Sequence, residues 1–403
     1  MKLSGVSSAL AVLLLSFNAL GIAAQRGATP PRVPQLTATP DLRLTAASLG
    51  LAGSAFGRGG RIALAPDGRL VVAPQTGDLV DFDSTGKRLS WKIQVGGRDP
   101  EIWIVDRMGW AGNTMWVIDQ GFRQIALVDQ RGKITKSLEH PTWVRPAWAD
   151  RRKYPVFGRV TPLNLYPDGS WLVVPYREKS LLDTPGYDTT VQYVMRISEG
   201  GSIQRVLAGL PRDPGRVDVK SGKTTRSFFI PYRGQAWGSS HDGLRIVIVS
   251  TNTKAADSAS FRVTVIGEKG DTIVNRLYPY TPIKVTQQAR DSIRERTQGK
   301  VGTLSEDEVR NLVAEHIPPF YPPVTGLVIG QDYSVWLQLR TTASAKSGDI
   351  RTWLVLDPTG APIGSVGLPH DYIVEVATRE RLWGFERKLG SPPVIVRYRI
   401  TRR

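Results

Sequence analysis

From about residue 60 to the end, short β-rich apolar runs alternate with turn residues, and the alternation repeats. In residues 61–73, Arg-Ile-Ala-Leu-Ala-Pro-Asp-Gly-Arg-Leu-Val-Val-Ala, Ile62 and Leu64 alternate with smaller residues, Asp67-Gly68 makes a turn, and an apolar run follows. This is a hairpin signal, with Asp-Gly expected to supply the positive φ of a two-residue loop. Aligning on the first turn residue gives Asp67-Gly68, Gly112-Asn113, Asp168-Gly169, Asp242-Gly243, Asp332-Tyr333 and Arg379-Glu380. Four residues after each first turn residue stand Val71, Trp116, Leu172, Ile246, Trp336 and Trp383, all large and apolar. Unrelated hairpins would not keep that register, because a one-residue slip turns a buried face outward.

Each unit but the last continues into a third strand, a second glycine turn and a fourth strand. Four antiparallel strands in each of six units, with no long helix between strands, predict an all-β fold, a six-bladed β-propeller. The last unit runs through residues 371–377, 381–385 and 393–400 and then lacks a fourth strand. An open edge is a liability, so the missing strand is expected from the other end of the chain, at Asp41-Leu42-Arg43-Leu44-Thr45. Unequal spacing between units locates insertions at 139–159, 178–190, 208–238 and 279–323. A helical insertion is expected at 284–317, before blade five. Residues 286–296 are rich in helix formers, and Ser305-Glu306-Asp307-Glu308 is a capping box ahead of Val309, Leu312, Val313 and His316.

The first residues read differently. Met1-Lys2, an apolar stretch to Leu20 and small residues at Gly21, Ala23 and Ala24 predict a signal peptide over 1–24. The run is interrupted by Ser16 and Asn18 and is short of the roughly 20 apolar residues of a membrane span. The expectation is therefore export to a periplasmic or extracellular location, with no span left after removal of the signal. Residues 25–40, with four prolines, read as a disordered spacer before a propeller over 41–403. The absence of cysteine among 403 residues excludes disulfides, thiolate metal sites and a thiol nucleophile.

A balance of 53 Lys+Arg against 36 Asp+Glu gives a net charge of +17, which favours polyanions or anionic surfaces as partners. In a propeller, the connectors between the second and third strands and between successive blades lie around one mouth of the channel. Those connectors carry Arg58, Arg98, Arg123, Arg177, Arg233, Lys254, Arg340 and Arg387, at least one cation per blade. One reading is an anion-binding ring, with Arg98, Arg123, Arg177, Arg233, Arg340 and Arg387 as ligand-binding residues for a small anion, a glycan or a protein partner. The other is that an arginine-rich chain places arginines in all its loops. Aromatic residues in or near the same connectors, among them Phe122, Trp148, Tyr176, Trp237 and Tyr321, fit either stacking on a ligand or covering the blades. No Gly-x-Ser-x-Gly elbow, phosphate loop, dinucleotide fingerprint, paired-histidine zinc motif or nucleic-acid motif occurs. No cofactor is expected on that reading.

Trp110, residues 113–119 (Asn-Thr-Met-Trp-Val-Ile-Asp), residues 123–129 (Arg-Gln-Ile-Ala-Leu-Val-Asp) and Gly132 together resemble the bacterial six-bladed β-propeller family with NHL-like or TolB-like repeats. Phe320-Tyr321-Pro322-Pro323, leading to Ser334-Val335-Trp336-Leu337, is similar to such proteins too. The likeness covers about residues 60 to 400 and implies architecture rather than activity. Some propeller lyases and hydrolases, streptogramin lyase and the peptide-amidating lyase among them, use channel-mouth histidines with a divalent metal. His140, His316 and His370 fall in connectors on that face, so the alternative is a metal-assisted lyase or hydrolase using them. His140 and His370 each abut a proline, and no metal-ligand spacing is present, so loop or capping roles stand beside ligation.

Overall fold

The computed structural model describes residues 33–48, 60–74, 77–96, 101–144, 157–175, 191–211, 216–221, 224–229, 236–251, 260–300, 305–342, 349–388 and 390–402. The chain divides into two units, Met1–Arg32 and Val33–Arg403. The first contains the expected signal peptide and lies outside the described residues.

The second unit is a six-bladed β-propeller. Its first described strand is β1 (Leu36–Leu44). Blade one is β2 (Arg61–Leu64), β3 (Leu70–Ala73), β4 (Gly77–Phe82) and β5 (Arg88–Val95), and blade two is β6 (Val105–Ala111), β7 (Thr114–Asp119), β8 (Gln124–Val128) and β9 (Ile134–Glu139). A short β10 (Thr142–Val144) leads to blade three: β11 (Phe157–Leu165), β12 (Trp171–Pro175), β13 (Val191–Ile197) and β14 (Ile203–Pro211). A separate hairpin, β15 (Arg216–Ser221) and β16 (Thr224–Phe229), precedes blade four: β17 (Ala236–Ser239), β18 (Arg245–Thr251), β19 (Ser260–Gly267) and β20 (Thr272–Pro279). Helices α1 (Gln287–Lys300) and α2 (Glu306–His316) precede blade five: β21 (Val324–Ile329), β22 (Val335–Leu339), β23 (Ile350–Leu356) and β24 (Pro362–Pro369). Blade six is β25 (Tyr372–Ala377), β26 (Arg381–Glu386) and β27 (Val394–Arg402), with β1 as its outermost strand.

The buried residues fall into six clusters, each drawn from two consecutive blades, and the last joins blade six to blade one through Trp383, Phe385 and Ile395 against Leu70, Val72 and Phe82. The core is thus a ring of sheet-on-sheet interfaces. The six aligned residues, Val71, Trp116, Leu172, Ile246, Trp336 and Trp383, are all buried, none more than 3% exposed. Five face the next blade, but Ile246 faces the preceding one, because the blade-four loop from Ser240 to Arg245 is one residue longer and Val247 takes the common position.

The hairpins depart from the expected geometry in one respect. Between β2 and β3, Ala65 N–H donates to Arg69 O and Gly68 N–H to Ala65 O, so the loop has three residues, with only Gly68 at positive φ (84°). Asp67 helps through its carboxylate, which accepts from Arg69 N–H at 3.1 Å. A type I turn closed by a left-handed residue is the standard three-residue loop. In blade five Tyr333 takes that left-handed position (φ 60°), held by its hydroxyl donating to Asp242. The two-residue form occurs at Gly112-Asn113, where Ala111 pairs with Thr114.

β1 pairs antiparallel with β27 from Leu36↔Arg402 to Leu44↔Ile395. It begins at Leu36, so residues 36–40 belong to the sheet and not to a disordered spacer. Leu36, with Ala38 beside it, packs toward blade five, and Leu44, with Leu42, toward blade one, the face changing at the register shift between Pro40 and Leu42; proline content obscured this alternation. Arg43 donates to the buried Glu386, and Asp41 receives Arg397 at 2.7 Å. In the insertion, Ser305 N–H and Oγ donate to Glu308 Oε2 at 2.7 and 2.8 Å while Glu308 N–H returns to Ser305 Oγ, the reciprocal bonds of a capping box. Val309, Ile293 and Ile317 are buried there.

Candidate ligand site in the central channel

Six inner strands, β2, β6, β11, β17, β21 and β25, line a central cavity of about 410 Å³. Four of them break register: at Val105/Arg107, Pro162/Asn164, Val324/Gly326 and Val374/Val376. The skipped residues are Asp106, Leu163, Thr325 and Glu375. A bulge re-aims a side chain that regular pleating would bury between blades. Asp106, Leu163 and Glu375 accordingly line the cavity.

The charged groups gather on blades six, one and two. Arg61 of β2 uses Nε to donate to Asp106 O at 2.7 Å, and among the described residues its terminal nitrogens make no other hydrogen bond. Asp106 and Arg107 approach at 3.8 Å, with about half of the Arg107 side chain open to solvent. Glu375 is half-buried, and among the described residues no hydrogen bond or ion pair engages its carboxylate. Burial pushes its pKa up, opposed by Arg61 and Arg387. Blades three and four supply neutral polar groups. Asn164, buried, donates through Nδ2 to Ser240 O and His241 O at 3.0 and 2.7 Å. Burial pushes the His241 pKa down, opposed by Asp242, so the imidazole is held toward its neutral form.

The raised Glu375 pKa sets a pH dependence. Its proton affinity is higher folded than unfolded, so stability falls as pH rises from the ordinary carboxylate range through the raised value. Glu375→Gln is expected to remove that slope, raising the unfolding midpoint at pH 8 and leaving it unchanged at pH 4; equal midpoints at both values would contradict the assignment.

Of the arginines expected at the mouth, Arg98, Arg177 and Arg233 lie outside the described residues, as do Arg58 and Lys254. Arg123 is exposed in the β7–β8 turn at φ 56°, a left-handed conformation rare for arginine. Arg340 lies 4.5 Å over the Tyr321 ring and Arg387 5.5 Å over that of Phe385. None of these three lines the cavity, although Arg387 reaches Glu375 electrostatically.

The three histidines do not converge. Among the described residues no three His, Asp or Glu side chains gather in a way that would hold a metal. His140 donates its backbone N–H to Arg123 O, and burial together with Arg123 pushes its pKa down. His370 accepts from Arg351 Nε at 3.0 Å through Nδ1, which puts a guanidinium where a metal cation would sit. His316 ends α2.

Sequence reading missed Arg61, Asp106, Arg107 and Glu375. The available signal was a charged residue in the otherwise largely apolar first strands of blades one, two and six, as in Tyr372-Ile373-Val374-Glu375-Val376-Ala377.

Near Arg123 the surface is organised by Asp119, fully buried at the end of β7. Its carboxylate accepts from the backbone N–H groups of Trp103, Ile104, Gly121 and Phe122 at 2.8, 3.0, 2.9 and 3.3 Å. These bonds tie the connector from blade one to the β7–β8 turn. A Cβ at Gly121 would overlap the Trp103 ring. Trp103, Ile104 and Phe122 remain 43%, 45% and 49% exposed, with the two rings 5.9 Å apart.

No protein-family description and no curated sequence matches the chain. Solved structures similar to it include a member of the DUF4221 family from Bacteroides vulgatus, with 11% identity, 92% of this chain and 100% of that chain covered, and a TM-score of 0.49. A putative exported protein from Bacteroides fragilis shares 9% identity over 91% of this chain and 96% of its own, with a TM-score of 0.46. Streptogramin B lyase shares 9% identity over 85% and 93%, with a TM-score of 0.37. At these values the likeness carries nothing about activity.

Proposed function

We propose that the protein is a binding module that takes a small polar ligand with an anionic group into its central channel, entering from the face that carries the blade-to-blade connectors. The observation that carries this reading is the Arg61 guanidinium, held by Asp106 O and retaining unused N–H groups at the wall of a 410 Å³ cavity. That volume is in the range of small-molecule sites, and a guanidinium fixed by one bond offers the others to a carboxylate or phosphate. Arg123, Arg340 and Arg387, with Arg98, Arg177 and Arg233, are proposed as the mouth charges that draw the ligand in. The proposal invokes no cofactor. Residues 1–24 are proposed to direct export, and no helix among the described residues is long and apolar enough to cross a membrane.

Thermal unfolding with acetate, succinate and inorganic phosphate at low and high chloride tests the proposal. At least one of these anions is expected to raise the midpoint by a few degrees, less at high salt, and Arg61→Gln is expected to remove the response. A parent protein indifferent to all three, or an Arg61→Gln variant responding as the parent does, would overturn it.

A further inference from the structure

The charges in the channel do not amount to an anion site alone. Arg61 and Arg107 are matched by Asp106 and Glu375, and all four stand on the consecutive blades six, one and two. Asp106 already has Arg107 beside it. Glu375 has no ion pair within 4 Å among the described residues, yet it occupies the inner strand adjoining that of Arg61 and feels Arg61 electrostatically. An anion bound at Arg61 would therefore sit next to an unneutralised carboxylate. Like charges brought together in a channel of reduced dielectric repel, which works against a simple anion. The same arrangement suits a ligand that brings a cation with its anion.

Besides these charges and the neutral polar groups of blades three and four, part of the cavity wall is apolar. Leu163 comes from blade three, and Leu327 and Ile329 from blade five; Leu64, Met108 and Val376 line it beside the charged groups. Leu327, Ile329, Leu64, Met108 and Val376 are only half-buried by the blades, leaving apolar surface for an occupant to cover. Polar surface predominates in the cavity as a whole, so the polar groups fix a head while these side chains form an apolar patch that receives a tail.

Resting on the channel reading above, we infer that the ligand is an amphoteric small molecule with an apolar tail, of the kind a free large aliphatic α-amino acid represents. Its carboxylate takes the unused N–H groups of Arg61, its ammonium donates to Glu375, and its side chain lies against the apolar wall. The two head groups of an α-amino acid are separated by one carbon, and Arg61 and Glu375 stand on adjoining inner strands. Pairing each ligand charge with one partner leaves no charge in the channel unmatched.

Calorimetric titration of the full chain with L-leucine, its des-amino analogue 4-methylpentanoate, its des-carboxy analogue 3-methylbutylamine, and glycine separates the contributions. L-Leucine is expected to bind at least tenfold more tightly than each of the other three. In Glu375→Gln the ratio of leucine to 4-methylpentanoate affinity is expected to fall at least tenfold, because the ammonium loses its acceptor. Glu375→Gln is an isosteric change at a half-buried position, and thermal unfolding of the variant confirms that it is folded. If 4-methylpentanoate equals leucine in the parent, the amphoteric assignment falls and the anion reading stands. If leucine binds but glycine binds as well, the apolar tail is overturned. If none of the four binds while acetate or phosphate does, the inference fails alone; if no anion binds either, both readings fail.

Discussion

A chain cut after Ala46 is expected to lose on the order of 5 kcal/mol of stability and to self-associate, whereas one cut after Arg32 should unfold as the intact protein does. The longer deletion removes β1. It takes away Leu36 and Leu44, both buried, and uncovers the apolar surface of blades five, six and one that they cover, at about 2 kcal/mol each. It strips Arg43 from Glu386, whose carboxylate is otherwise almost wholly enclosed and, among the described residues, keeps only Tyr398 Oη as a donor. Because Arg43 is half exposed, that pair adds no more than about 1 kcal/mol. It also leaves the outer edge of β27 unpaired, an invitation to strand addition from another molecule. The shorter deletion keeps Pro34, whose carbonyl accepts from Ser365 N–H, and Gln35, which bridges to Ser365. Urea unfolding and sedimentation of the two truncations provide the check. Equal midpoints and a monomeric longer truncation would mean that β1 is dispensable to the ring.

Asp119→Ala is expected to cost about 3 kcal/mol and to loosen the surface around Trp103 and Phe122 specifically. Four backbone donors converge on one buried carboxylate, and each loses its acceptor at once. The individual bonds are charge-assisted, but Trp103, Ile104 and Phe122 are open to water that can replace part of the loss, so the sum stays well below four full bonds. Asp119→Asn keeps one acceptor oxygen and should fall between the parent and the alanine variant. Hydrogen exchange over residues 101–104 and 120–123 should accelerate in both variants, while β3 and β22 keep their protection. Uniform acceleration throughout the ring would mean instead that Asp119 acts on global stability alone.

The repeat itself was legible because interface packing demands it. Trp116, Trp336 and Trp383 each fill a space between two blades, and a residue with that duty must recur in register, whatever happens in the loops. The capping box at Ser305 and Glu308 was legible for a local reason, since its bonds join residues three apart. The channel groups were not. Asp106 and Glu375 reach the cavity through bulges, and a bulge is a departure from the alternation by which strands are recognised. On a regular pleat the same positions would be buried between blades, where a charged side chain is not expected. The Asp119 carboxylate was hidden for a different reason: its donors are backbone groups, two of them fifteen and sixteen positions away, and they carry no side-chain signature.

The pairing of β1 with β27 also orders events in time. Asp41 and Arg397, which meet at 2.7 Å, are 356 positions apart, so β1, the first strand among the described residues, is among the last to find its partner. Five blades can form from hairpins between neighbouring strands while the chain is still emerging; the sixth waits for residues 394–402. Until then the first strand is a loose end beside a growing array of open edges. A ribosome stalled within the final strand would release a chain with nearly all of its blades and no means of locking them into a circle.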